Sequence, residues 1–126
     1  MSIMPNEIND IQRVRAAAVE VFETMGWGWQ ECVYREALAA ELRGRSHTVE
    51  TEVSFPVTYK GRPLSNTFFR VDMLVNGRLV VELKAGVTNN LLETATRQCE
   101  RYVSMIGGQG LAMQFRRDEV VSNAIE

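Results

Sequence analysis

Charged residues interrupt the most apolar stretch of this sequence, residues 70–86 (RVDMLVNGRLVVELKAG). Asp72 and Glu82 each carry a carboxylate, and Lys84 follows Glu82 by two positions. Acids that a fold brings together need compensation from a proton, a neighbouring cation or a bound metal ion. Carboxylate oxygens are also the ligands that hard divalent cations prefer. The stretch therefore points to a metal-dependent site, provided that the fold brings the two acids together.

The charged residues lie on two predicted strands, 68–75 and 79–84, joined by a loop that contains an Asn-Gly pair. Such a pair usually forms a two-residue hairpin loop. In that register, Asp72 and Glu82 would emerge on opposite sides of the sheet, and both sides would mix apolar with charged residues.

A three-residue loop, Asn76 to Arg78, gives a different arrangement. Asp72 then lies opposite Glu82, and the other face of the hairpin becomes wholly apolar. Register slips are strongly disfavoured where one face of a sheet is buried, so we predict this loop or an equivalent bulge. The predicted apolar face consists of the pairs Val71–Leu83, Met73–Val81 and Val75–Leu79.

Lys84 shares a face with Glu82 in this arrangement, at a separation of roughly 6.5 Å along the strand. Directly opposed acids are destabilising, which favours a bound cation between Asp72 and Glu82. The alternative is that Lys84 and Arg70 merely neutralise two solvated acids on an exposed sheet face. Spacing alone leaves both interpretations open.

The elements around this hairpin follow the order helix, helix, strand, strand, strand, helix, strand. Apolar residues recur every three or four positions over 7–25, 30–43 and 90–106, which predicts amphipathic helices. They alternate over 48–59, which predicts a strand, and a last short strand covers 110–115. This order predicts a mixed α/β sheet domain.

Length and composition predict one soluble domain over residues 1–126, with 45% hydrophobic and 24% charged residues. We expect the polar tail, residues 117–126, to fray. No apolar run approaches the roughly 20 residues of a membrane span, and the start of the chain does not read as a signal peptide. We therefore expect a cytoplasmic protein without a membrane partner.

The formal net charge of -2 argues against tight, nonspecific duplex binding through overall positive charge. A nucleic-acid substrate stays possible, because an acid-rich metal site lowers the net charge. Local basic patches would then have to hold it.

Asp72 together with Glu82-Leu83-Lys84 resembles the active-site pattern of the PD-(D/E)XK nuclease superfamily, with Val71 at the place of a frequent proline. The segment GWQECVY matches G-x-x-E-x-x-Y, and YREALAAEL, YKG and FRVDMLVNGRLVVELKA continue the match. The sequence thus resembles the GxxExxY family of that superfamily over residues 22–116. The resemblance implies an α/β (α+β) fold: a restriction-endonuclease-like αβββαβ core with a mixed four-stranded sheet flanked by helices, preceded by an extra N-terminal helix.

The resemblance also implies roles for individual residues. Asp72, Glu82 and the backbone carbonyl of Leu83 would bind Mg²⁺ or Mn²⁺, and Glu31 would add a carboxylate to the metal or its water shell. Lys84 would orient or deprotonate a water molecule, or stabilise the phosphorane. For Glu31, the alternative is an acid placed favourably by the helix dipole.

Substrate contacts are implied for Gln98 and Tyr102, which lie four apart on the predicted third helix, and for Tyr34. For Tyr102, packing in the core with a hydrogen-bonded hydroxyl is the competing interpretation. Family members often carry His three residues before the glutamine, and Ala95 occupies that position here.

The first functional hypothesis is a metal-dependent endonuclease or exonuclease that hydrolyses phosphodiester bonds of DNA or RNA. The second is a noncatalytic module that keeps the fold and binds nucleic acid or protein. A third is a structural protein with a solvated acid cluster. Under either of the first two, the small size favours a homodimer or a protein partner.

Overall fold

The structure, a computed structural model, describes the backbone of residues 5–126 and the side-chain environments from Asp10 onward. In this part of the chain, helices and strands follow the predicted order, with one additional strand at the end. The elements are α1 (Pro5–Met25), α2 (Glu31–Gly44), β1 (Val49–Tyr59), β2 (Arg62–Val75), β3 (Leu79–Ala85), α3 (Leu91–Ile106), β4 (Gln109–Phe115) and β5 (Val120–Ile125).

The strands form one five-stranded mixed sheet in the order β1-β2-β3-β4-β5. β3 and β4 are parallel and are joined through α3, whereas the other neighbouring strands are antiparallel. This is an α+β fold consistent with a restriction-endonuclease-like core. The predicted fold class, including the extra N-terminal helix, is confirmed.

The prediction of four strands and a fraying tail at 117–126 is wrong. β5 pairs with β4 along its whole length, from Phe115↔Val120 to Gly110↔Ile125. The turn between them is closed by the Arg116 N–H, which donates to the Glu119 carbonyl at 2.9 Å. Polar residues surround the short apolar pairs of this segment, so its composition resembles that of an exposed tail and does not reveal the strand.

Helices cover both faces of the sheet, so both faces are apolar at its centre. α1 and α2 pack on the first face, where the buried cluster includes Val14, Leu38, Leu42, Val81 and Phe115. α3 packs on the second face, where the buried cluster includes Val71, Leu74, Val80, Ala95 and Cys99.

The β2–β3 hairpin has the predicted three-residue loop, with Val75 paired to Leu79. Asn76 and Gly77 adopt φ angles of +53° and +68°, the left-handed region that these residue types tolerate best. The predicted register of the hairpin is therefore confirmed over its first three pairs, Val75↔Leu79, Leu74↔Val80 and Met73↔Val81.

The predicted backbone pairs Asp72–Glu82 and Val71–Leu83 are wrong. Backbone pairing between β2 and β3 ends at Met73↔Val81, while β2 continues to pair with β1 down to Arg62. Leu83 packs beneath α1 and α2, whereas Val71 joins the cluster beneath α3. The two strands therefore diverge at Asp72.

Within residues 5–126, the structure has no helix long and apolar enough to cross a membrane.

Candidate active site

The carboxylates of Asp72 and Glu82 meet where β2 diverges from β3. The Asp72 backbone N–H donates to Glu82 Oε2 at 2.8 Å, and the Leu83 backbone N–H donates to Asp72 Oδ2 at 2.9 Å. Each carboxylate thus accepts a hydrogen bond from the opposite strand, beyond the last backbone pair. These reciprocal bonds fix both side chains at the fork of the sheet.

The backbone of Leu83 also faces this fork. In an extended strand, the N–H and C=O of one residue point to the same side, which is why paired antiparallel residues exchange both bonds. Since the Leu83 N–H points to Asp72, its carbonyl points toward the diverging strand as well. A third oxygen is therefore directed into the space beside the two carboxylates.

Glu82 is buried, with only 3% of its surface exposed. Burial, followed by the negative charge of Asp72, raises the pKa of Glu82 from 4.5 to about 8, while the Asp72 N–H and the charge of Lys84 act in the opposite direction. Ionising both acids is costly because two like charges share a poorly solvated site. A cation bound between them would remove this cost.

Glu31 and Lys84 lie within electrostatic range of the carboxylate pair. Burial raises the pKa of Glu31, the charge of Lys84 opposes this, and the charge of Asp72 adds to it. Lys84 is half-buried and lies two residues after Glu82 on β3. The structure therefore brings Glu31 from α2, Asp72 from β2, and Glu82 with Lys84 from β3 to one place.

Tyr34 is a core residue, so the expectation that it contacts substrate is wrong. Its side chain has no exposed surface, and its ring stacks on Phe115 with centroids 4.3 Å apart. Its hydroxyl donates to the Gly26 carbonyl at 2.5 Å and accepts from the Trp29 N–H at 3.4 Å. Tyr34 thus anchors the loop that precedes α2.

This anchored loop determines where α2 begins, and hence the position of Glu31. Gly28 adopts a φ of +107°, which strongly favours glycine, and Glu31 is the first residue of α2. In the G-x-x-E-x-x-Y segment, the glycine and the tyrosine therefore have structural roles that position the glutamate between them.

Tyr102 and Gln98 lie on α3, which covers the face of the sheet that carries Glu82. The Tyr102 ring stacks on Phe69 with centroids 4.8 Å apart. Burial raises the pKa of Tyr102, and the charge of Glu82 raises it further, so the hydroxyl lies within electrostatic range of the acids. Gln98, one turn earlier, is half-buried. Buried Ala95 contributes to the apolar cluster beneath α3.

Comparison with known proteins identifies the superfamily of this chain. The family model of the PD-(D/E)XK nuclease superfamily matches residues 9–124. The chain belongs to this superfamily. A solved structure, "Crystal structure of SSO0001", is similar, with 19% sequence identity and a TM-score of 0.55. The match covers 75% of this chain and 48% of that one, so this chain spans about half the length of the matched structure. Comparison with curated proteins finds no significant match.

The PD-(D/E)XK superfamily is described as a nuclease superfamily. Enzymes of this superfamily generally use divalent metal ions. The site of this chain fits such an ion, because the groups at the fork offer oxygen ligands and the joint ionisation of the two carboxyl groups is unfavourable without a cation.

Two carboxylates, rather than a larger cluster, form the centre of this site. From residue 10 to residue 126, no group of three or more His, Cys, Asp or Glu side chains could by itself hold a metal ion. Backbone carbonyl, water and substrate oxygens would therefore have to complete the coordination of a cation held by Asp72 and Glu82.

A further charged group beside Asp72 has no signal in the sequence. Glu52 on β1 forms ion pairs with Arg35 of α2 and Arg70 of β2, at 3.3 Å and 3.4 Å. These residues come from three separate elements, so only the tertiary structure brings them together.

Proposed function

We propose that this protein hydrolyses phosphodiester bonds of DNA or RNA in a reaction that requires Mg²⁺ or Mn²⁺. The observation that carries the proposal is the pair of reciprocal hydrogen bonds that holds Asp72 and Glu82 at the fork between β2 and β3. A fold that needed only a stable hairpin would continue the backbone pairing instead of placing two acids in a poorly solvated site.

Asp72, Glu82 and the Leu83 carbonyl would hold the cation, and Glu31 would contribute its carboxylate to the water shell rather than as a direct ligand. When bound, the cation would supply Lewis acidity toward a phosphate oxygen. The raised pKa of Glu82 supports this assignment, because a cation would compensate the charge that burial and Asp72 disfavour.

Lys84 is the proposed catalytic lysine. Its ammonium lies on the strand of Glu82 and within electrostatic range of Glu31, so it can orient an attacking water molecule and stabilise negative charge on the phosphate. Glu31 can accept a hydrogen bond from the same water molecule. These two residues approach the site from different elements, which allows them to act on different atoms of the reaction.

Gln98 and Tyr102 are the proposed substrate contacts. Both are half-buried on α3, and the Tyr102 hydroxyl is within electrostatic range of Glu82. We also assign the chain to the GxxExxY family within the superfamily. The structural roles of Gly28 and Tyr34 in positioning Glu31 support this assignment.

Cleavage assays test the proposal directly. Single- and double-stranded DNA and RNA are incubated with Mg²⁺ or Mn²⁺, with wild type beside Lys84→Ala. The matched control is Lys60→Ala, which removes the only other lysine of the sequence, an exposed residue in the turn after β1. We expect Lys84→Ala to lose activity by about 100-fold or more and Lys60→Ala to retain it.

A noncatalytic module that binds nucleic acid or protein is the alternative function. It predicts binding without metal-dependent cleavage of any of these substrates. Equal activity of wild type and Lys84→Ala would point to a contaminating nuclease or to another mechanism. Self-association remains a prediction, and the mass measured by light scattering tests it.

A further inference from the structure

Glu52 bridges two arginines beside the candidate active site. Its Oε1 lies 3.3 Å from Arg35 Nη2, and its Oε2 lies 3.4 Å from Arg70 Nη1. Each oxygen of one carboxylate is therefore committed to a different guanidinium group. A tetrahedral phosphate can present its oxygens to two arginines in a similar way, because the planar guanidinium group binds carboxylates and phosphates with the same pair of N–H donors.

The bridge lies next to Asp72. Glu52 is at the position opposite Asp72, between the pairs Thr51↔Met73 and Val53↔Val71. Arg70 precedes Asp72 by two residues on β2. The two arginines therefore belong to the immediate surroundings of the fork.

Arg35 reaches this place from α2, one turn after Glu31. Burial would lower the pKa of Arg35, but its hydrogen bond with Glu36 and the charges of Glu52, Glu36 and Asp72 raise it overall. Its side chain is only 15% exposed, and its Nε donates to Glu36 Oε2 at 3.1 Å. Arg35 is thus held by a second partner and would keep its place if Glu52 moved away.

The backbone of Glu52 is strained. Its φ of +53° is in the left-handed region, which is uncommon for a glutamate and rarer still inside a strand. Such strain persists where the surrounding structure imposes it, and it clusters at functional sites. Here it occurs at the residue that faces Asp72 and holds both arginines.

We propose that Arg35 and Arg70 form a phosphate clamp, which binds a backbone phosphate of the nucleic acid next to the bond that is cleaved, and that Glu52 occupies this clamp until the substrate displaces it. The proposal rests on the proposed function, since it assumes a nucleic acid at the fork. Glu52 keeps two like-charged guanidinium groups together without substrate, and its departure exposes them as a preformed pair.

Binding measurements without metal test the clamp separately from cleavage. Fluorescein-labelled single-stranded and duplex DNA are titrated in EDTA, and anisotropy gives the affinity at 50 to 200 mM NaCl. We expect Glu52→Gln to tighten binding by roughly threefold to tenfold, since it removes the competing charge and keeps the side-chain size. We expect Arg70→Gln to weaken binding and to reduce the slope of log affinity against log salt by about 0.7 to 0.9.

Two matched controls separate local from general charge effects. Glu50→Gln removes another exposed acid of β1, and Arg62→Gln removes an exposed arginine at the far end of β2. Both should change affinity by less than twofold. Arg35→Lys keeps the positive charge but loses the planar guanidinium group that can donate two parallel hydrogen bonds, and we expect it to bind more weakly than wild type. Thermal unfolding of each variant confirms that it is folded under the assay conditions.

The clamp is wrong if Glu52→Gln binds as wild type does or more weakly, because Glu52 would then only stabilise the fold. Absence of binding to either oligonucleotide in both wild type and Glu52→Gln also overturns it. Tighter binding by Glu52→Gln in a protein without metal-dependent cleavage would support the clamp while contradicting the proposed function. Metal-dependent cleavage by wild type, together with unchanged binding by Glu52→Gln and Arg70→Gln, would support the proposed function and contradict the clamp.

Discussion

Replacing Glu82 with glutamine should stabilise the metal-free protein at neutral and alkaline pH. The folded protein holds the proton of Glu82 up to a pKa of about 8, whereas the unfolded chain releases it near 4.5. Between these values the unfolded chain binds fewer protons, so the stability of wild type falls as the pH rises. Glutamine does not titrate, and its amide oxygen can still accept the hydrogen bond from Asp72.

The size of the effect follows from the same pKa. One pKa unit corresponds to about 1.4 kcal/mol. The buried Glu82 carboxyl therefore lowers the free energy of unfolding by about 3 kcal/mol at pH 7, where only the unfolded chain has released the proton, and by about 4 to 5 kcal/mol above pH 8. We expect Glu82→Gln to recover much of this cost, with a difference close to zero at pH 4.5 that grows toward pH 8. In a domain of this size, each kcal/mol corresponds to about 3 to 5 °C in Tm.

Urea unfolding in EDTA, measured from pH 4.5 to pH 9, gives this difference directly. Glu50→Gln is the control, since Glu50 is an exposed acid and should show no such trend. Adding Mn²⁺ should stabilise wild type and reduce the advantage of the variant, because an ion that binds only the folded state shifts the equilibrium toward it. Wild-type stability that stays constant or rises between pH 5 and pH 8, or a variant that gains nothing relative to wild type, would refute the raised pKa of Glu82.

Two further predictions concern the residues that position the site. Tyr34→Phe removes the hydroxyl that donates to the Gly26 carbonyl, so it should lower the free energy of unfolding by about 1 to 2 kcal/mol, whereas exposed Tyr59→Phe should leave it unchanged in urea unfolding. Gly110→Ala places a methyl group against the Cys99 sulfur and should cost about 1 to 3 kcal/mol. The double variant with Cys99→Ala should recover part of that loss, and a strictly additive pair would contradict the contact.

The register of the site hairpin could be predicted from the sequence because it depends on local alternation. Only the three-residue loop buries Val75, Leu79 and Val81 together, and the structure confirms it. The divergence of the strands could not be predicted in this way. It places Val71 beneath α3 instead of opposite Leu83, since β2 follows β1 beyond Met73.

Residues whose positions depend on tertiary contacts were harder to interpret. Tyr34 belongs to the same motif as Glu31, and its spacing did not show that its ring fills the core. A buried aromatic ring can both pack and anchor a loop through its hydroxyl. Glu52 and Arg35 had no spacing that linked them to Asp72. β5 was missed because Asp118 and Glu119 make its start resemble a solvated tail.

Titration of the metal-free protein with Mn²⁺ in a calorimeter tests the central claim that Asp72 and Glu82 form a cation site. Wild type should show saturable binding at neutral pH, and Asp72→Asn should bind at least about tenfold more weakly, since it removes one of the two carboxylates. Glu50→Gln should bind as wild type does. The same heats in wild type and Asp72→Asn, or no heat of binding in either, would contradict the cation site.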